Sequence, residues 1–106
     1  MKFDINQVLK QMLDAIAGTA KSDLPILKET GKIFLISRKE RLGQLATFHI
    51  SGAIDEEFFK NRLEDEKLLL ESELHALKIM TMATAQRAAN AAIEVFSKAV
   101  LSAIVF

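Results

Sequence analysis

The C-terminal half, Ala53-IDEEFFKNRLEDEKLLLESELHALKIMTMATAQRAANAAIEVFSKAVLSAIV-Phe106, contains neither glycine nor proline, whereas Gly18, Gly31, Gly43 and Gly52 punctuate the first half. Without a breaker, the default reading of such a stretch is one continuous helix. About 50 residues at about 1.5 Å per residue would run about 75 Å, far beyond the width of a compact domain of this mass. A helix of that length would need a second chain to cover its end.

Within this stretch an apolar track advances by eleven residues: Leu63, Leu74, Ala85, Phe96, with Leu70, Thr81, Ala92, Ala103 and then Leu77, Ala88, Ala99 beside it. Eleven residues in three turns is about 3.67 per turn, a nearly straight seam rather than a leucine zipper. The small side chains from Ala83 to Ala92 allow two helix backbones to approach closely. Ala85, Ala88, Ala92, Phe96, Ala99, Ala103 and Phe106 are therefore the expected interface residues, joining copies of the chain. On that reading, removing the residues from Thr84 onward leaves a soluble, monomeric hairpin. The competing arrangement breaks the helix within residues 81–84 and folds the tail back as a fourth helix. The local sequence there has no glycine, proline or capping box to mark such a break.

Upstream, Asp4 is placed to cap a first helix over about residues 4–20, with Gln7 in capping-box spacing. Ile5, Val8, Leu9, Met12, Leu13, Ile16 and Ala20 then recur at intervals of three and four, giving one apolar face. Ser22 or Asp23 is the expected cap of a second helix over about 24–50, where Pro25 is tolerated in the first turn. Inside that helix Ile33, Phe34, Leu35 and Ile36 are consecutive apolar residues. They fit a helix covered on several sides, or a strand pair of residues 32–37 with 45–51.

Gly52 suits the left-handed residue after this helix and Asp55 the N-cap of the next, with Ile54 and Phe59 in staple spacing. Folding the hairpin at residues 51–54 brings Arg38, Lys39 and Arg41 level with Glu64, Asp65 and Glu66. The stretch Arg41-Leu42-Gly43-Gln44-Leu45 through Gly52-Ala53-Ile54-Asp55-Glu56-Glu57-Phe58 to Leu63 resembles the SHOCT hairpin, a short bacterial module with two leucines, a Gly-x-Ile turn and Glu-Glu-Phe. The resemblance covers about a fifth of the chain, the scale of a short motif. It departs from the family in its central position and in Asp55, where the family has Ser or Thr. It implies a hairpin associated with assembly and carries over no catalytic residue.

Composition supports an all-α fold: half of the 106 residues are hydrophobic, yet Trp, Tyr and Cys are absent. Leu, Ile, Ala and Met make a helical-bundle core, and the lack of Cys excludes disulfides and thiolate chemistry. Fourteen basic residues balance fourteen acidic ones. They are segregated: residues 1–54 hold eight Lys/Arg against five Asp/Glu, residues 55–78 four against eight, and residues 79–106 only Arg87, Glu94 and Lys98. A cytoplasmic protein is the expectation, since no apolar run approaches the roughly 18 residues of a membrane span.

No residue set forms a catalytic constellation, and no cofactor motif is present. Glu71 and His75 lie four apart on one helix face and are the candidate metal pair. They resemble the Glu-x-x-His motif of carboxylate-bridged di-iron bundles only loosely, because Ser72 stands where that Glu belongs. Nucleic-acid binding is not expected: the run Arg38-Lys39-Glu40-Arg41 is interrupted by an acid and has no Tyr or Trp to stack on bases. The expected molecule is thus a single all-α domain, a hairpin or three-helix protein with a long C-terminal helix completed by oligomerisation. Its expected role is that of a non-enzymatic, self-assembling structural or adaptor subunit, within a homo-oligomer or larger assembly. The alternatives are a ferritin-like metal-binding bundle and a helical protein lying on a membrane surface, although the tail lacks the Lys/Arg-rich face of such helices.

Overall fold

The computed structural model describes residues 3–21 and 24–104. Among the described residues four helices follow one another: α1 (Ile5–Ala20), α2 (Pro25–Ile50), α3 (Glu56–Ala76) and α4 (Met82–Ala103). The chain is all-α, and both segments considered for a strand pair, 32–37 and 45–51, belong to α2 and its C-cap Ser51. Sequential helices run antiparallel and close into a ring, with α4 also packed on α1 and α1 and α3 on opposite corners. The radius of gyration is 13.5 Å, close to the value of about 13 Å expected for one compact domain of this size.

The helix ends follow the local chemistry. The Asp4 carboxylate accepts hydrogen bonds from the Asn6 and Gln7 amides at 3.0 and 3.4 Å. Helix α2 begins at Pro25 after Leu24, which makes no side-chain cap; Ser22 and Asp23 lie outside the described residues. At the other end of α2, Gly52 adopts φ 82. The Ala53 amide donates to the Phe48 carbonyl at 2.8 Å and the Gly52 amide to His49 at 3.1 Å. This is the Schellman pattern, with Gly52 in the position that disfavours any Cβ. Asp55 then accepts from the Phe58 amide at 2.8 Å, and Glu56 and Glu57 place negative charge on the first turn of α3. Gly52→Val should therefore destabilise by about 1–2 kcal/mol, the cost of forcing a side chain into left-handed backbone, read as a lower urea midpoint at unchanged slope.

The single helix over 55–106 is corrected by the structure: α3 stops at Ala76 and α4 starts at Met82. The break falls on residues 77–81, meeting the segment considered for it at Thr81. Lys78 takes φ 58, a left-handed conformation costing a non-glycine residue about 1–2 kcal/mol. Thr81 restarts the helix, its hydroxyl accepting from the Thr84 amide at 3.1 Å. The local cost is outweighed because reversal buries Phe96 and Val100 completely, each worth about 1.5–3 kcal/mol. Tertiary burial has overridden a locally helical sequence.

The core consists of Met12 and Ile16 from α1, Leu27, Leu35 and Leu42 from α2, Phe59, Leu70 and Leu74 from α3, and the alanine stripe with Phe96 and Val100 from α4. Phe96 sits at its centre, edge-on to Phe3 at 5.9 Å and stacked towards Phe59 at 6.2 Å between ring centroids. Leu63, Leu74, Ala85 and Phe96 of the eleven-residue track are all buried, but two lie on each of two antiparallel helices.

Candidate interaction surface

The residues expected to join copies of the chain are largely enclosed within one chain. Ala85, Ala88, Ala92, Phe96 and Ala103 are buried and Ala99 is partly buried, while Phe106 lies outside the described residues. The reading of these positions as an exposed seam is corrected accordingly. It required an α4 projecting beyond the hairpin, whereas the turn at 77–81 lays that helix against α1 and α3.

The exposed apolar surface lies elsewhere. Helix α2 buries Leu27, Gly31, Leu35, Leu42, Leu45 and Ala46 as one stripe. Its opposite side carries a second set: Ile33 and Ile36 are 62% and 58% exposed, and Ile26 is exposed one heptad before Ile33. The run Ile33–Ile36 thus divides, with Leu35 buried and Phe34 partly buried against the core while the two isoleucines face outward. Exposed Glu29 and Glu40 flank these isoleucines one turn away on the same side, so the outer side of α2 carries an isoleucine patch bounded by carboxylates.

Ile36 also belongs to a groove of about 520 Å³ between α1 and α2, walled by Leu9, Leu13 and Leu35 and rimmed by Lys10, Lys32 and Lys39. Gly31 lets the helices approach here, since a Cβ on it would lie 2.9 Å from the Leu13 Cδ1. The three lysines make no ion pair among the described residues. The groove is therefore an aliphatic channel with an unanswered positive rim.

Between α2 and α3 the charges are matched. Arg38 grips Glu66 through two parallel hydrogen bonds, Nε to Oε2 at 2.8 Å and a terminal nitrogen to Oε1 at 2.5 Å. Arg41 approaches the same Oε1 at 3.8 Å. Glu66 is only 4% exposed, and its hydrogen bonds raise the Arg38 pKa further, holding the guanidinium charged. The expected register is thus present, but Glu66 carries it alone: Glu64 pairs with Lys67 at 2.9 Å and Asp65 with Arg62 at 3.2 Å, both on α3. At the hairpin end the His49 ring stacks on Phe59 at 4.3 Å, with Nδ1 3.3 Å from the Ile54 carbonyl oxygen. An open groove nearby exposes Phe48 and Phe58, and the Arg62 guanidinium lies 5.4 Å from the Phe58 ring centroid.

The outer side of α3 differs in charge. This helix has seven Asp/Glu against three Lys/Arg, whereas α2 has two against five. Leu68 and Leu69 are about half exposed among Glu64, Asp65 and Glu73. The metal candidates do not form a centre: Glu71 is buried and His75 exposed, and the described residues contain no group of three or more His, Cys, Asp or Glu able to hold an ion. Among the described residues, no helix is long and apolar enough to cross a membrane.

The outward isoleucines were missed by the sequence reading, although Ile26 and Ile33 stand seven apart and Ile36 one turn further on, a spacing that marks a second face. Comparisons with protein-family models, curated protein sequences and solved structures gave no match to this chain.

Proposed function

We propose that this protein is a non-enzymatic assembly subunit whose contact surface is the aliphatic outer side of α2 and the groove that α2 forms with α1. The observation that carries this reading is the exposure of Ile26, Ile33 and Ile36 on a helix whose opposite side already fills the core. A monomeric protein scatters single apolar side chains over its surface, whereas apolar residues aligned along one helix beside an aliphatic groove are interface composition. The resemblance of residues 41–63 to the SHOCT hairpin points the same way through its association with assembly.

The reading requires the chain to self-associate in solution. Sedimentation velocity over a concentration series should show a mass above that of the 11.8 kDa monomer. Ile33→Asp with Ile36→Asp should return the protein to monomer while the far-ultraviolet circular dichroism stays that of the parent, because both side chains are already exposed. A wild-type chain that remains monomeric throughout, or a double variant that associates as the parent does, would overturn the proposal.

A further inference from the structure

The proposed contact has two sides, and the charge distribution indicates what the second one is. The α1–α2 groove offers an aliphatic floor and three unpaired lysines. A complementary occupant is a helix that presents leucines flanked by carboxylates. The outer side of α3 has that composition, with Leu68 and Leu69 exposed among Glu64, Asp65 and Glu73. Glu73 makes no ion pair among the described residues, and Glu64 and Asp65 are engaged only by neighbours on their own helix. Such exposed one-turn pairs are worth a few tenths of a kcal/mol and exchange readily for a new partner.

We infer that copies of this chain associate head to tail, the acidic outer side of α3 in one copy lying in the lysine-rimmed α1–α2 groove of the next. The inference rests on the assembly function proposed above and specifies its mode. Helices α1 and α3 occupy opposite corners of the bundle, so the two surfaces point to different sides and one copy can use both at once. A contact between unlike surfaces does not close on itself in a pair. It propagates into a ring or a filament. A patch of about 800 Å² on each partner is typical of a stable contact, a modest share of the 6519 Å² surface of one chain.

Complementation between two one-sided variants tests this mode. A groove variant, Lys32→Glu with Lys39→Glu, retains its α3 surface; a ridge variant, Leu68→Lys with Glu73→Lys, retains its groove. Each alone should be monomeric by sedimentation velocity, with association weakened by about 100-fold or more as attraction becomes like-charge repulsion. Mixed in equal amounts they should associate again, since an intact groove meets an intact ridge and the two altered surfaces carry exchanged, complementary charges. Raising the salt from 0.05 to 0.5 M should also lower the wild-type mass, with no variant involved. If the wild type associates but the mixture stays monomeric, or either variant alone still dimerises, the head-to-tail mode is wrong; a ridge variant that dimerises alone, its α2 being unaltered, replaces it with a symmetric α2-to-α2 contact and leaves the assembly function intact. A wild type monomeric at low salt overturns both, and the groove then belongs to a different partner.

Discussion

Phe96→Ala should lower the unfolding free energy by about 3–5 kcal/mol, the range for truncating a fully buried aromatic side chain. Phe96 has no exposed surface and contacts the rings of Phe3 and Phe59, which come from separate parts of the chain. Truncation leaves a void where three segments meet. Because small domains have only about 5–15 kcal/mol in total, a variant at the lower end of that range would be partly unfolded at ambient temperature. Thermal denaturation followed by circular dichroism measures the loss. A variant melting within about 2 °C of the parent would mean that Phe96 is not in the core, since 1 kcal/mol already shifts the midpoint of a domain this size by about 4–8 °C. Deletion from Thr84 onward is the severe form of the same experiment. It removes Ala85, Ala88, Ala89, Ala92, Phe96 and Val100 from a core shared with α1, α2 and α3, so the shortened chain should unfold or aggregate. A well-folded monomeric hairpin would instead restore the projecting helix read from the unbroken C-terminal sequence.

The contrast shows which features were legible before the fold was known. The Asp4 and Asp55 caps, the Gly52 turn and the α1 stripe were readable because each is decided within one or two turns of helix. The break at 77–81 was not, because its local signals are slight: Lys78 in a left-handed conformation that residue type rarely adopts, and Thr81 as a plain cap without a Glu or Gln three residues on. What decides it is non-local, the fit of the α4 alanines against α1 and α3. The contact surface was obscured by the same event. While α4 was read as projecting, its apolar side chains appeared to be the surface in need of cover. Once α4 closes the core, the surplus is transferred to Ile26, Ile33 and Ile36. The α2–α3 charge register was legible from equal rise along two antiparallel helices, but the selection of Glu66 over Glu64 and Asp65 depends on which carboxylate faces inward, a rotational detail set by packing.

The second large effect is expected at this buried pair. Arg38→Ala should destabilise by about 2–4 kcal/mol, because it strands the Glu66 carboxylate, and removing one partner of a buried ion pair leaves an uncompensated charge. The lower part of that range is favoured by two features of the site: the Arg38 side chain is 27% exposed, so water can enter where it stood, and Arg41 is already within 3.8 Å of Glu66 Oε1. Glu66→Ala should cost less, since the freed guanidinium can turn to solvent. Replacing both partners, Arg38→Met with Glu66→Leu, should recover most of the loss or exceed the parent in stability, because neither charge then has to be desolvated. Urea denaturation of the parent, the two alanine variants and the variant combining Arg38→Ala with Glu66→Ala gives the coupling energy between the two positions. Additive single effects would show that the pair is not coupled as its bidentate geometry requires. An apolar double variant more stable than the parent yet populating several states by nuclear magnetic resonance would assign the pair a different value. It would then hold α2 and α3 in one register rather than add to the stability of the bundle, and a displaced register would move Leu68 and Glu73 relative to the α1–α2 groove on which assembly is proposed to depend.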